Sequence, residues 1–279
     1  MCDSNSQVQI PDQSSIYFIN EYVIHGYKQL GMTSKECVQS IFQVNNESMN
    51  VLTSALNIII TIAWVWYIWR LAKNNKRKAS PIPPLFFVLL VVAGVCHIIT
   101  WLGSLLAHAC TTHKSHELVD KLWRFDMASI YLTVLGFSNL GMLVEMAPYA
   151  SLETLLAGMC IGSLTCIVAM IFMLKKEGIH DENNRALRAL PWLITVGVYW
   201  LPVILKNVCH GMGASSPWFV LAIVWYLIGG FFHVSKAPEC LTENKTIQKW
   251  CLSHHWWHWA NILGDACFFY AVLIYATST

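Results

Sequence analysis

"PLFFVLLVVAGVCHIITWLGSLLAH", residues 84–108, contains no Asp, Glu, Lys or Arg. A helix needs about 20 predominantly apolar residues to cross the ~30 Å hydrocarbon core of a bilayer. This stretch therefore reads as a transmembrane helix, with two histidines, His97 and His108, carried inside it. Comparable apolar windows lie at about 51–70, 127–147, 154–174, 189–206, 216–233 and 257–277. The expectation is an all-α, polytopic membrane protein built as a seven-helix bundle. The 189–206 window is short and carries Pro191 and Pro202 near its ends, which makes it the least certain span.

Composition agrees with that class. The 279 residues are 56% hydrophobic and 12% charged, where a soluble domain carries about 25% charged residues. A net charge of +2 gives no reason to expect a nucleic-acid partner. The ten cysteines are scattered, with no CxxC pair, and Cys96, Cys160, Cys166 and Cys267 fall in apolar windows, where a thiol is a small hydrophobe. The first 20 residues are polar and acidic, and no cleavable signal peptide is expected there. The chain divides into an N-terminal segment, 1–50, and a transmembrane domain, 51–279.

Orientation follows from the basic residues. The N-terminal segment and the loops after the second, fourth and sixth spans hold 12 of the 18 Lys and Arg residues. That places the N-terminus in the cytoplasm, although five of the remaining six cluster in the loop after the first span. The sequons at Asn46 and Asn244 then lie on the cytoplasmic side and should carry no glycan.

Ionisable side chains at membrane depth are functional candidates. In "LSHHWWHW", residues 252–259, His254 and His258 stand four residues apart and share one helix face, a chelating spacing. His255 points about 100° away, to an interfacial place among the tryptophans. His108 closes the second span with Ser104 one turn before it, Asp126 opens the third, and Glu47 and Asn50 open the first, with Ser54 a turn beyond. Even spans end, and odd spans begin, on the side of the N-terminus, so all these groups share one membrane face. Three histidines and an acid fit a catalytic zinc site with a position left for water. Asp126 would take or orient the proton of that water, and Ser104 would hydrogen-bond nearby. The spacing also fits histidines and an aspartate that merely face lipid headgroups. His113, His116, His180 and His210 receive no role. Deeper in the membrane, Asp265 lies seven residues beyond His258, and His97 eleven before His108. Both should face the bundle interior, either pairing and lining a ligand cavity or satisfied separately.

The ordered motifs resemble the progestin and adipoQ receptor family, which includes adiponectin and membrane progestin receptors. Its Glu-x-x-Asn element reads here "NNESMNVLTS", its Ser-x-x-x-His element "SLLAH" followed by "LWRFD", and its His-x-x-x-His element "SHHWWH". "GYKQLGMTSKECVQSIFQVNNESMNV" and "HVSKAPECL" look most like the progestin-receptor branch. The resemblance implies a seven-helix receptor with a cytoplasmic N-terminus in the plasma membrane. It implies zinc on His108, His254 and His258, with Asp126 and Ser104 beside the zinc water and Glu47 and Asn50 supporting the ligands. The expected partners are the lipid bilayer, a steroid or sphingolipid-like small molecule, and a G protein. The zinc core would carry ceramidase-like amide hydrolysis. The chain departs from the pattern at Thr53-Ser54, where Thr-His is usual, and at Cys240, where arginine is usual; no eighth helix of the progestin branch is expected. Two rivals stand beside this reading. An alkaline ceramidase has a similar zinc site but a different entry motif, and a receptor could hold purely structural zinc. A rhodopsin-type protein is disfavoured, since no lysine is expected inside a span and no Asp-Arg-Tyr ends the third.

Overall fold

A computed structural model describes residues 31–43, 45–74, 84–176 and 185–278. Residues 75–83, with three of the five basic residues counted after the first span, and His180 fall outside the described residues, while Arg70 and Lys73 belong to the helix before that loop. The elements are helical throughout: α1 (Ser34–Ser40), α2 (Ser48–Asn74), α3 (Pro84–Ala109), α4 (His116–Met146), α5 (Leu152–Lys175), α6 (Arg185–His210), α7 (Ser216–Ser235), α8 (Lys245–Trp250) and α9 (Ser253–Ser278), with a 3-10 turn at Glu239–Leu241. Six of these helices are long and apolar enough to cross a membrane, and α6 contributes a shorter apolar stretch, Ile194–His210. The protein is thus an all-helical polytopic membrane protein, and α6 carries Pro191 and Pro202 within it.

Two helices run well past their apolar windows. Helix α4 begins at His116 rather than near residue 127, because Ser115 caps it by accepting from the Leu118 N–H at 3.3 Å and Glu117 sits in its first turn. Asp126 therefore lies more than two turns inside the helix instead of at its entrance. Helix α6 runs to His210, which puts Lys206 inside the span rather than in the loop after it.

Helix α3 packs between α2 and α4, and α7 lies along α9, which in turn rests on α2. Such approaches need small residues where backbones meet. A Cβ on Gly136 would stand 2.7 Å from Ala93 Cα, and one on Gly264 would stand 2.5 Å from the Tyr226 ring. An aromatic stack fills the centre: Phe137 lies 4.1 Å from Phe268 and 4.6 Å from His97, centroid to centroid. The outer faces stay apolar, with Leu156, Leu164 and Val168 of α5 exposed to where lipid would lie.

The segment before α2 is anchored at the bundle end that carries the site. Met32 pairs with the α3–α4 loop, its N–H donating to Thr112 O at 3.0 Å and its carbonyl accepting from the Lys114 N–H at 2.8 Å. His113 joins the same tie, at 3.1 Å from Ser34 Oγ. Helix α1 then starts on a capping box of Thr33 and Glu36, whose hydrogen bonds hold the Glu36 carboxyl below its usual range.

Candidate metal centre

The first turn of α9 brings His254 and His258 against His108 at the last turn of α3. Nitrogen atoms of these three rings lie within 4.8 Å of one another, a cluster that could hold a metal ion. His108 and His258 are each 2% exposed and His254 is half-buried, so the cluster sits at the edge of the bundle end with two rings inside it. Trp123 packs edge-on to His108 at 5.0 Å and Trp101 to His258 at 5.1 Å, which keeps lipid and bulk water off both rings.

The partners of each ring decide which nitrogen is left to face a metal. Glu47 Oε2 lies 2.6 Å from His108 Nδ1, and a carboxylate can only accept, so that nitrogen carries the proton. Thr53 spends its hydroxyl proton on the Met49 carbonyl at 2.6 Å, so its oxygen accepts from His258 Nδ1 at 2.8 Å. Both rings are left with a lone pair on Nε2. His254 Nε2 stands 3.1 Å from His108 Nε2, and His254 Nδ1 stands 3.3 Å from His233 Nδ1. Two nitrogens ~2.0–2.1 Å from one tetrahedral zinc would be ~3.3 Å apart. The donor set therefore fits a metal bound through three Nε2 atoms, each ring steadied at Nδ1 by a different neighbour.

Other sequence candidates fall around this core. Asn50 donates to Glu47 Oε2 at 2.9 Å, while its own Oδ1 is buried without a hydrogen-bond partner among the described residues. Asp126 is 8% exposed and lies within electrostatic reach of His108 and Ser104. Ser54 donates to Ser104 at 3.4 Å. Asp265 and His97 are deeper, 3.1 Å apart, with Asn57 and Tyr226 donating to the same carboxylate at 2.7 and 2.8 Å. They stand apart from the three-histidine cluster.

Three positions were misread or missed. His255 is not interfacial: it is 1% exposed, accepts the Leu252 N–H on Nδ1 at 3.1 Å and donates from Nε2 to Asn46 O at 2.8 Å. It ties α9 to the segment before α2. Glu239, 2% exposed, accepts the Ser253 N–H at 2.7 Å and the Ser253 hydroxyl, capping the N-terminus of α9 from fourteen residues upstream. The "APECL" quoted for the resemblance contained it, without a sign of that role. His233 opens the "HVSKAPECL" stretch of the resemblance, without a sign of a role of its own.

At the opposite end, Glu145 of α4 is 2% exposed and receives Lys206 at 3.0 Å together with the hydroxyls of Ser215 and Ser216 at 2.5 Å each. Lys206 also donates to Asn207 Oδ1 at 2.9 Å and lies over the Tyr149 ring.

Comparison with known proteins agrees with the geometry. The sequence pattern of the family described as "Haemolysin-III related" matches residues 42–269, which include every side chain of the cluster. A yeast protein of Saccharomyces cerevisiae, "ADIPOR-like receptor IZH3", is 25% identical over 241 residues, covering 82% of this chain and 42% of its own length. The chain thus spans under half of that relative.

Proposed function

The chain belongs to the haemolysin-III related family, and on that premise we propose that it is a membrane receptor for a steroid or lipid hormone, of the progestin-receptor branch, with zinc on His108, His254 and His258. The convergence of three imidazoles, each with its Nδ1 engaged elsewhere, carries this reading. The yeast relative's description as a receptor supports it. The N-terminal segment, 1–50, is cytoplasmic, residues 51–279 form the seven-helix domain, and the site faces the cytoplasm from the plasma membrane. Its ligand is a steroid or sphingolipid-like molecule, and a G protein reads the change of state.

Zinc, when bound, supplies Lewis acidity and makes a water ligand acidic near neutral pH. Asp126, within electrostatic reach of His108, would take that proton, which would turn a receptor core into a lipid amide hydrolase. Glu47 accepts from His108 and makes it a stronger donor, and Asn50 holds Glu47 in place. Trp101 and Trp123 restrict water around two of the ligands.

The test uses purified full-length protein, metal analysis and a ceramide-hydrolysis assay. Asp126→Ala should retain zinc, weakened at most ~10–100-fold, and lose ~10²–10⁴ of any hydrolysis. An Asp126→Ala protein that hydrolyses ceramide at the unmutated rate removes Asp126 from the chemistry. No turnover by zinc-loaded unmutated protein on several lipid amides favours a receptor with structural zinc, and tight ceramide turnover without steroid binding favours a ceramidase.

A further inference from the structure

We propose that His233 is a positioning residue for the metal site, fixing the tautomer and the orientation of the ligand His254; this rests on the metal reading above. A neutral imidazole has one proton. If His254 gives Nε2 to the metal, its proton must sit on Nδ1, and this half-buried N–H is turned to an acceptor inside the bundle rather than to bulk water. The atom standing there is His233 Nδ1, at 3.3 Å, with the rings 5.2 Å apart and inclined at 63°. His233 then carries its own proton on Nε2 and accepts on Nδ1.

The helix packing delivers His233 to this place. Gly229 lies one turn before it on the same face of α7, and a Cβ there would meet Ala260 Cβ at 2.9 Å and the Trp257 ring at 3.2 Å. The missing side chain lets α7 close on α9, and the His233 ring settles 5.9 Å from Trp257 and beside His254. The arrangement completes a set. Glu47 steadies His108 with a carboxylate, Thr53 steadies His258 with a hydroxyl, and His233 steadies His254 with an imidazole. It also extends the site to α7, a helix to which none of the metal-binding histidines belongs.

The experiment measures zinc affinity by chelator competition and the visible spectrum of the cobalt-substituted protein for His233→Ala, His233→Leu and His233→Asn. Ala and Leu remove the acceptor, so zinc affinity should fall ~10–100-fold and the cobalt bands should shift or broaden. Asn places Oδ1 as many bonds from the backbone as Nδ1 and can accept, so it should restore most of the affinity and the unmutated spectrum. Unmutated affinity and spectrum in Ala and Leu would overturn the proposal. So would an Asn variant as weak as Ala, because that result assigns His233 to ring packing. Failure of the underlying site looks different: unmutated protein that binds no metal, or His108→Ala and His258→Ala variants that bind it undiminished, overturns both readings together.

Discussion

Replacing Lys206 or Glu145 should destabilise the bundle severely without touching the metal centre, and replacing both should cost less than the sum. The two charges are 4% and 1% exposed at their side chains and 3.0 Å apart. Removing one partner of a buried pair typically costs about 3–5 kcal/mol, because the other charge is left uncompensated. Lys206→Met falls near the lower end, ~3 kcal/mol, since Glu145 keeps the hydroxyls of Ser215 and Ser216 at 2.5 Å. Glu145→Leu falls near the upper end, ~5 kcal/mol. It strands the Lys206 ammonium with only Asn207 Oδ1 at 2.9 Å and the Tyr149 ring at 5.0 Å. The double variant strands no charge and should recover ~1.5 kcal/mol or more relative to additivity. At ~2–4 °C per kcal/mol for a chain of this order of size, the single variants should melt ~6–20 °C lower. Thermal melting in detergent, followed by size-exclusion chromatography, reads this directly, and metal analysis of the surviving fraction should be unchanged. Strictly additive effects, or singles that cost under ~1 kcal/mol, would refute the claim that this pair is buried and mutually dependent.

Other expectations follow from the metal end. Replacing His108, His254 or His258 by Ala should each remove most bound zinc, because two nitrogens cannot complete a tetrahedral site; a variant at full occupancy excludes that residue as a ligand. Glu239→Ala orphans the Ser253 N–H and hydroxyl at the start of α9, at about 1–3 kcal/mol each. Amide exchange over 252–256 should accelerate and zinc binding weaken, and unchanged protection there would refute the capping role. Asn244 is exposed and caps α8, whereas Asn46 is buried, so only Asn244 reports topology. A glycan mapped to Asn244 would invert the proposed orientation.

What the sequence made legible is what depends on periodicity within one helix. Six spans emerge from runs of apolar residues, and α6 from a run that carries two prolines. The pairing of His254 with His258 needs only the i, i+4 rule. The alternation of spans places His108, Glu47 and Asn50 at the same membrane face without any coordinates. Where helices outrun their hydrophobic windows, that logic fails. The α4 start depends on the Ser115 cap, in a polar stretch that looks like loop. Lys206 and Glu145 sit at the ends of apolar windows, so each alone reads as a boundary charge, and only the crossing of α4 and α6 makes them a buried pair.

The site divides along the same line. Metal-binding nitrogens come from a motif, but the choice between Nδ1 and Nε2 comes from contacts made across helices. Thr53 keeps the threonine of the usual Thr-His and only Ser54 departs, and nothing in that motif announces that the Thr53 oxygen reaches His258 from 205 residues away in sequence. His255 follows helix geometry in pointing away from the cluster, but the segment before α2 folds over that side and buries it against Asn46. A reading from helix faces alone therefore had to send His255 to the interface, since the covering segment has no periodicity to announce it. His233 lies 21 residues before His254, with a turn, a 3-10 turn and α8 between them. No spacing rule links two such histidines. Their contact is set by how closely α7 can approach α9, and that closeness is carried by a glycine whose purpose shows only when Ala260 and Trp257 are seen against it.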